Sequence, residues 1–155
     1  MKFMASLAVP FLLMSCLSAQ TVPSASKNDE LQQAISNFIQ AFDNLDWEHF
    51  RLSFTDDATV FFPRGIPMRA SGRAQFEKGF TQVFQQIREG KKAAPYMQIE
   101  PRRLEVQRAG DIAIVTFELD DRPGMLNRRT LVWQKTGQGW KIIRLHASEV
   151  KTPSN

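Results

Sequence analysis

The spacing of apolar residues changes part-way along this 155-residue chain, and that change constrains its fold more than any other feature. Two stretches before residue 90 repeat apolar side chains at helical spacing: Leu31, Ile35, Phe38, Phe42 and Leu45, then Phe76, Phe80, Val83, Phe84 and Ile87. From residue 96 onwards, apolar and polar residues alternate as they do in half-buried strands. Helices followed by consecutive strands predict an α+β fold, with the helices on one face of a curved antiparallel sheet.

Residues that break regular structure predict where the elements begin and end. A short second helix is predicted after Asp46, and a strand "ATVFF" is expected to end at Pro63. A third helix is predicted to open near Gly72, where the chain turns tightly. The alternation then predicts four strands, at residues 96–108, 112–120, 127–136 and 140–150. A bulge is expected near Pro101 in the first of these four, because proline cannot donate to the ladder.

The first 19 residues are interpreted as an export signal and are excluded from the fold. Met1 and Lys2 supply a positive start, and the apolar segment "FMASLAVPFLLM" is shorter than the roughly 20 residues that span a membrane. Two processing routes fit: cleavage after Ala19, or a lipoprotein signal that ends before Cys16 and leaves this cysteine lipidated. The protein is therefore expected to be periplasmic or secreted, or else a lipoprotein anchored in a membrane.

The remaining chain is expected to form one domain. Residues 20–27 predict a short linker, residues 28–150 the domain, and residues 151–155 a flexible tail. The net charge of +4 comes from scattered residues with no interleaved aromatic platform, so no nucleic-acid partner is expected. The sequence has one cysteine and no glycine-rich phosphate loop or serine or cysteine triad. No metal and no cofactor are therefore expected.

Three segments in this order carry a resemblance to a known family: "FTDDATVFFP", "SGRAQFEKGF" and "GWKIIRLHASEV". Together they resemble the SnoaL-like branch of the nuclear transport factor 2-like superfamily, over about residues 28–150. The resemblance implies a cone-shaped, curved antiparallel sheet wrapped by three N-terminal helices. It also implies a pocket at the open end of the cone, and a homodimer formed through the convex face of the sheet.

The resemblance also tests for the chemistry of two relatives. In ketosteroid isomerases a tyrosine and a protonated aspartate hold the enolate and a carboxylate is the base. These positions fall on Phe38, Leu131 and Phe62, respectively. A phenylalanine neither accepts a proton nor donates a hydrogen bond, so isomerase chemistry by that route is not expected. The association domain of calmodulin-dependent kinase has pocket arginines at positions that fall on Leu131 and Ala147, which again are apolar.

The same alignments and strand alternation predict a strongly apolar pocket lining: Phe38, Phe42, Phe62, Leu131, Trp133, Ile143, Leu145 and Ala147, with Arg129 beside them. The leading hypothesis is therefore an exported protein whose pocket binds a small hydrophobic molecule, with no catalysis established. One alternative is a cyclase, isomerase or dehydratase that uses Arg129, Arg144 and His146. It requires the last strand to lie one residue out of phase, because alternation places Arg144 and His146 on the convex face. A second alternative is a structural dimer module whose cone is filled by its own side chains.

Overall fold

The computed structural model describes residues 27–63, 69–90, 93–122 and 124–152, and their elements form an α+β fold. The described chain has three helices, α1 (Lys27–Asp43), α2 (Trp47–Arg51) and α3 (Arg73–Gly90), and the first two strands lie between α2 and α3. The strands are β1 (Phe54–Phe61), β2 (Ala70–Ser71), β3 (Arg102–Ala109), β4 (Ile112–Arg122), β5 (Met125–Thr136) and β6 (Gly139–Lys151). The predicted fold class is confirmed. The predicted export signal, Cys16, the linker up to residue 26 and the last three residues of the tail lie outside the described residues.

The sheet has six strands in the order β2-β1-β6-β5-β4-β3, and it is curved and unclosed. Strands β3 to β6 form the predicted antiparallel meander. The sheet is nevertheless mixed, because β1 pairs in parallel with β6, with Val60 opposite Leu145. A parallel pair needs a long crossover, and here β2, α3 and strands β3 to β5 supply it. The sheet was predicted to be antiparallel, and among the described strands the pairing of β1 with β6 departs from that prediction.

Two irregularities shape the meander. The strand predicted from Tyr96 begins only at Arg102, after Pro101, and its register shifts between Arg102 and Glu105. In the other irregularity, Val132 lies opposite Arg144 while Trp133 lies opposite Ile142. Residue 143 is therefore an extra residue in β6, a bulge that changes which side chains face the helices on either side of it.

The core is built around a cluster of phenylalanine rings between the helices and the sheet. Phe50 is the buried residue of α2 and is fully enclosed. Its ring centroid lies 4.7 Å from that of Phe80, 5.2 Å from Phe38 and 5.2 Å from Phe84. These separations fall in the range in which aromatic pairs attract each other beyond their area burial. A helix of five residues is thereby held in place by a side chain that contacts both longer helices.

The connection from α1 to α2 positions this ring. Leu45 adopts a left-handed conformation (φ 51°) with its side chain fully buried, and the backbone N–H of Asp46 donates to the carbonyl of Ala41 at 2.8 Å. Asp46 then caps α2, because its carboxylate accepts from the backbone N–H of His49 at 3.2 Å. This hydrogen bond lowers the pKa of the Asp46 carboxyl below its ordinary value. The turn therefore starts α2 in the orientation that buries Phe50.

The segment before β3 is fastened to the end of α1. The carbonyl of Asp43 accepts from the backbone N–H groups of Tyr96 (2.9 Å) and Met97 (3.2 Å). The Asp43 carboxylate accepts from the backbone N–H of Ile99 at 2.9 Å. One residue at the helix end thus satisfies three donors of an irregular segment. Tyr96 and Met97 are held against the helices as a result.

Candidate functional site

A cavity of about 520 Å³ lies between the three helices and the concave face of the sheet. Most of its wall is apolar and comes from all three helices, the sheet and two connecting segments: Phe38, Phe42, Phe50, Phe62, Pro63, Phe80, Val83, Ile87, Met97, Phe117, Leu131, Leu145 and Ala147. The polar side chains in the wall are Gln86, Tyr96, Arg129 and Glu149. Such a volume and wall suit a small organic molecule.

The structure brings most of the residues predicted for the pocket to this cavity. The lining includes six of the eight: Phe38, Phe42, Phe62, Leu131, Leu145 and Ala147. Trp133 and Ile143 are not among the lining residues. Trp133 is buried further along the concave face, where its ring meets Phe38 edge-on at 6.0 Å. Ile143 occupies the bulge of β6, so strict alternation through this position does not hold.

The three candidate catalytic residues lie on two faces of the sheet. Arg129 lines the cavity. Arg144 and His146 are exposed, and they flank Leu145, which is buried on the cavity side. The ring of His146 contacts Phe61 on the convex face, at 5.8 Å between centroids. The structure therefore does not bring Arg129, Arg144 and His146 together, and the one-residue phase slip that would have done so is absent.

A polar cluster that was not predicted lies beside the apolar wall. Glu149 lines the cavity together with Arg129, and Asn127 is completely buried next to them. In the sheet, Arg129 lies opposite Ala147 and Asn127 lies opposite Glu149. The Nη1 of Arg129 lies 3.4 Å from the Oδ1 of Asn127. Alternation could have identified both new members, because Glu149 is two residues beyond Ala147 and Asn127 is two residues before Arg129.

A larger and more open groove of about 1020 Å³ runs between α1 and the β5–β6 hairpin. Its wall carries several side-chain amides, and three of them are hydrogen-bonded along α1 or just beyond its end: Gln33 donates to Asn37 at 2.8 Å and Asn44 donates to the carbonyl of Gln40 at 2.9 Å. Asp46 and His49 lie at its edge, with 2.7 Å between the carboxylate and Nδ1, and both are substantially exposed. The groove therefore lacks the enclosure from water that strengthens polar chemistry.

Metal and membrane features were also sought in the described ranges. No group of three or more histidine, cysteine, aspartate or glutamate side chains there could hold a metal ion.

None of the helices α1 to α3 has both the length and the apolar character needed to cross a membrane, among the residues described.

Comparisons with known proteins agree with this architecture. The family model for the SnoaL-like domain matches residues 31–153. An NTF2-like protein of unknown function from Pseudomonas putida KT2440 has a TM-score of 0.63 at 22% identity, over 81% of this chain and 86% of that one. A proposed dehydratase of the NTF2-like family from Streptomyces avermitilis has a TM-score of 0.63 at 23% identity, over 79% and 95%.

A proposed ketosteroid isomerase from Shewanella frigidimarina NCIMB 400 is also similar, with a TM-score of 0.61 at 18% identity, over 79% of this chain and 97% of that one. At these identities the likeness shows a shared fold. No curated protein sequence matches the chain.

Proposed function

The chain belongs to the SnoaL-like domain family, and from this premise we propose that its cavity binds a small, largely apolar molecule. The observation that carries the proposal is the wall itself, in which phenylalanine rings border a space of about 520 Å³. Ligand pockets commonly measure roughly 300–1,000 Å³ and are lined mainly by apolar and aromatic side chains. Each square ångström of apolar surface removed from water contributes about 25 cal/mol, which gives such a ligand its driving force.

The size of the cavity favours binding over a cone filled by its own side chains. Rings such as Phe38 and Phe42 border the space on one side and pack against other rings on the other. A side chain that borders a void lacks dispersion contacts in that direction, and a bound apolar molecule would restore them. A ligand that occupies the cavity is therefore also expected to stabilise the folded protein.

The composition of the wall favours binding over the isomerase chemistry of relatives. The positions that would hold the tyrosine, the base and the protonated aspartate are Phe38, Phe62 and Leu131, and all three line the cavity as apolar side chains. The alternative enzyme built on Arg129, Arg144 and His146 also loses support, because the last two lie on the convex side of the sheet.

Blocking the cavity should abolish binding of a neutral apolar probe. Ala147 is buried on the floor of the cavity, so Ala147→Phe places a ring in the ligand's space. Titration with the fluorescent dye N-phenyl-1-naphthylamine is expected to show saturable binding to the wild type. The variant is expected to bind about tenfold more weakly or worse, since a lost apolar contact area of this size is worth 1.4 kcal/mol or more.

Ala74→Phe is the matched control, because Ala74 is exposed on α3 and is not part of the cavity wall. It should bind the dye like the wild type. Absence of saturable dye binding by the wild type would overturn the proposal, as would Ala147→Phe binding with unchanged affinity while remaining folded.

We also propose that two copies associate through the convex face of the sheet. Phe61 and Ile114 remain 40% and 39% exposed there, and Val132, paired with Ile114, lies between the strands that carry them. Exposed apolar side chains grouped on one face are typical of an interface.

Ile114→Arg is expected to convert a dimer into a monomer in light scattering coupled to gel filtration. Leu52→Arg, at an exposed site on the helical side, should remain dimeric, and a monomeric wild type at tens of micromolar would contradict the proposal.

A further inference from the structure

One end of the cavity differs chemically from the rest. Along the concave face, Leu131 and Leu145 face each other, and the next inward positions towards the Asn127 end are Arg129 and Ala147. The following inward pair is Asn127 and Glu149. Arg129 and Glu149 are thus diagonal neighbours on adjacent strands, a separation that long side chains span. An apolar chamber therefore has a polar end, which contains one cationic and one anionic side chain.

The charges at this end disfavour a charged ligand group of either sign. A carboxylate near Arg129 would also lie near the Glu149 carboxylate, and an ammonium near Glu149 would also lie near the guanidinium. Arg129 and Glu149 are half-buried, so water screens this repulsion less than it would at a fully exposed site. A neutral group that both accepts and donates hydrogen bonds meets neither repulsion and can pair with both side chains.

Arg129 and Glu149 each have enough hydrogen-bonding atoms to bind a neighbouring group of the protein and a ligand at the same time. A guanidinium carries five N–H donors, and a carboxylate offers about four lone-pair sites. Arg129 is positioned from within the protein, because its Nη1 lies 3.4 Å from the buried Asn127 Oδ1 and 3.2 Å from the carbonyl of Arg128. The guanidinium is therefore oriented before any ligand arrives, which reduces the entropy lost on binding.

We propose that the ligand of this cavity carries a neutral hydroxyl head, which accepts a hydrogen bond from Arg129 and donates one to Glu149. The apolar body of the same molecule lies against the phenylalanine wall. This inference rests on the proposed function, and it narrows the ligand class to an alcohol with an apolar body.

Three ligands with one chain length but different heads test the inference. Displacement of N-phenyl-1-naphthylamine from the wild type is measured at pH 7.5 with 1-decanol, decanoate and decylamine. Decanol is expected to bind about tenfold more tightly than either charged ligand, as fits a hydrogen bond to a charged group. Glu149→Gln removes the repulsion from decanoate, so the ratio of decanol to decanoate affinity is expected to fall towards one. Arg129→Met should lower the ratio of decanol to decylamine affinity in the same way.

Two variants outside the cavity serve as matched controls. Arg128→Met changes the neighbouring arginine, which is exposed on the convex face, and Glu105→Gln changes an exposed glutamate of β3. Both should keep the wild-type order of the three ligands. Equal displacement by all three ligands, or tighter binding of decanoate or decylamine, would overturn the hydroxyl head and leave the apolar pocket standing. Failure of the dye itself to bind would overturn both proposals.

Discussion

Replacing Phe50 with alanine is expected to lower the free energy of unfolding by about 3–5 kcal/mol, the range typical of a buried phenylalanine. The side chain is fully buried, and its ring lies within 5.3 Å of five others: Phe38, Phe42, Phe54, Phe80 and Phe84. The loss combines the transfer free energy of the ring with a new cavity that neighbouring rings cannot close. It also removes the buried anchor of α2, so that helix loses its attachment to α1 and α3.

Urea denaturation followed by circular dichroism measures this change. Leu52→Ala is the control, because Leu52 follows α2 directly but is 54% exposed, and its truncation should cost no more than about 0.5 kcal/mol. If Phe50→Ala unfolded at the same urea concentration as Leu52→Ala, the ring cluster would not be the centre of the core.

Placing a carboxylate where related isomerases keep their base should destabilise this protein strongly and in a pH-dependent way. Phe62 is 8% exposed, and its ring lies 5.0 Å from that of Phe80. Phe62→Asp is expected to cost about 4 kcal/mol or more at pH 8, because it removes apolar burial and adds an unpaired charge. Burial raises the pKa of the introduced carboxyl above its ordinary value of about 3.9 in the folded state.

The sign of the pH effect follows from that raised pKa. Below about pH 4 the introduced carboxyl is protonated and uncharged in both the folded and unfolded states, so its titration does not change the free energy of unfolding. Between pH 4 and the raised pKa only the unfolded state releases the proton, and stability falls by about 1.4 kcal/mol per pH unit. Phe62→Asn loses the same ring without a titratable group, so its stability should be unaffected by this proton. If the free energies of unfolding of the two variants changed in parallel between pH 4 and pH 8, the introduced carboxyl would be solvated and the prediction of a buried, apolar wall at Phe62 would be contradicted.

Local patterns in the sequence predicted much of this fold for a clear physical reason. Helical spacing and strand alternation arise because each element buries one face, so the two periods could be read without any knowledge of tertiary contacts. The parallel pairing of β1 with β6 could not be read in this way, because it joins residues about 85 positions apart in sequence, such as Val60 and Leu145, and leaves no local signal. The resemblance to a family did not supply it either, because it implied an antiparallel sheet.

The candidate site shows the same division between local and non-local information. Alternation added Leu145 to Leu131 and Ala147, which the family resemblance had placed on the side of the sheet that faces the helices, and all three line the cavity. It failed at Ile143, because a bulge adds one residue to one strand without a characteristic residue type. Glu149 was overlooked for another reason: an acidic residue near the end of a strand is usually exposed, so the alternation was not continued two residues beyond Ala147.

The extra residue in β6 sets the side-chain phase of the second half of the strand independently of the first half. Before it, Trp140 and Ile142 fix the strand in the core; after it, Leu145 and Ala147 shape the chamber. If the strand kept this residue but ran through the position without a bulge, its second half would turn over and bring Arg144 and His146 inward in place of Leu145 and Ala147. A substitution that straightens the strand at this position is therefore a shorter evolutionary path to a new set of pocket groups than stepwise replacement of the wall, which makes the bulge a natural branch point for divergence.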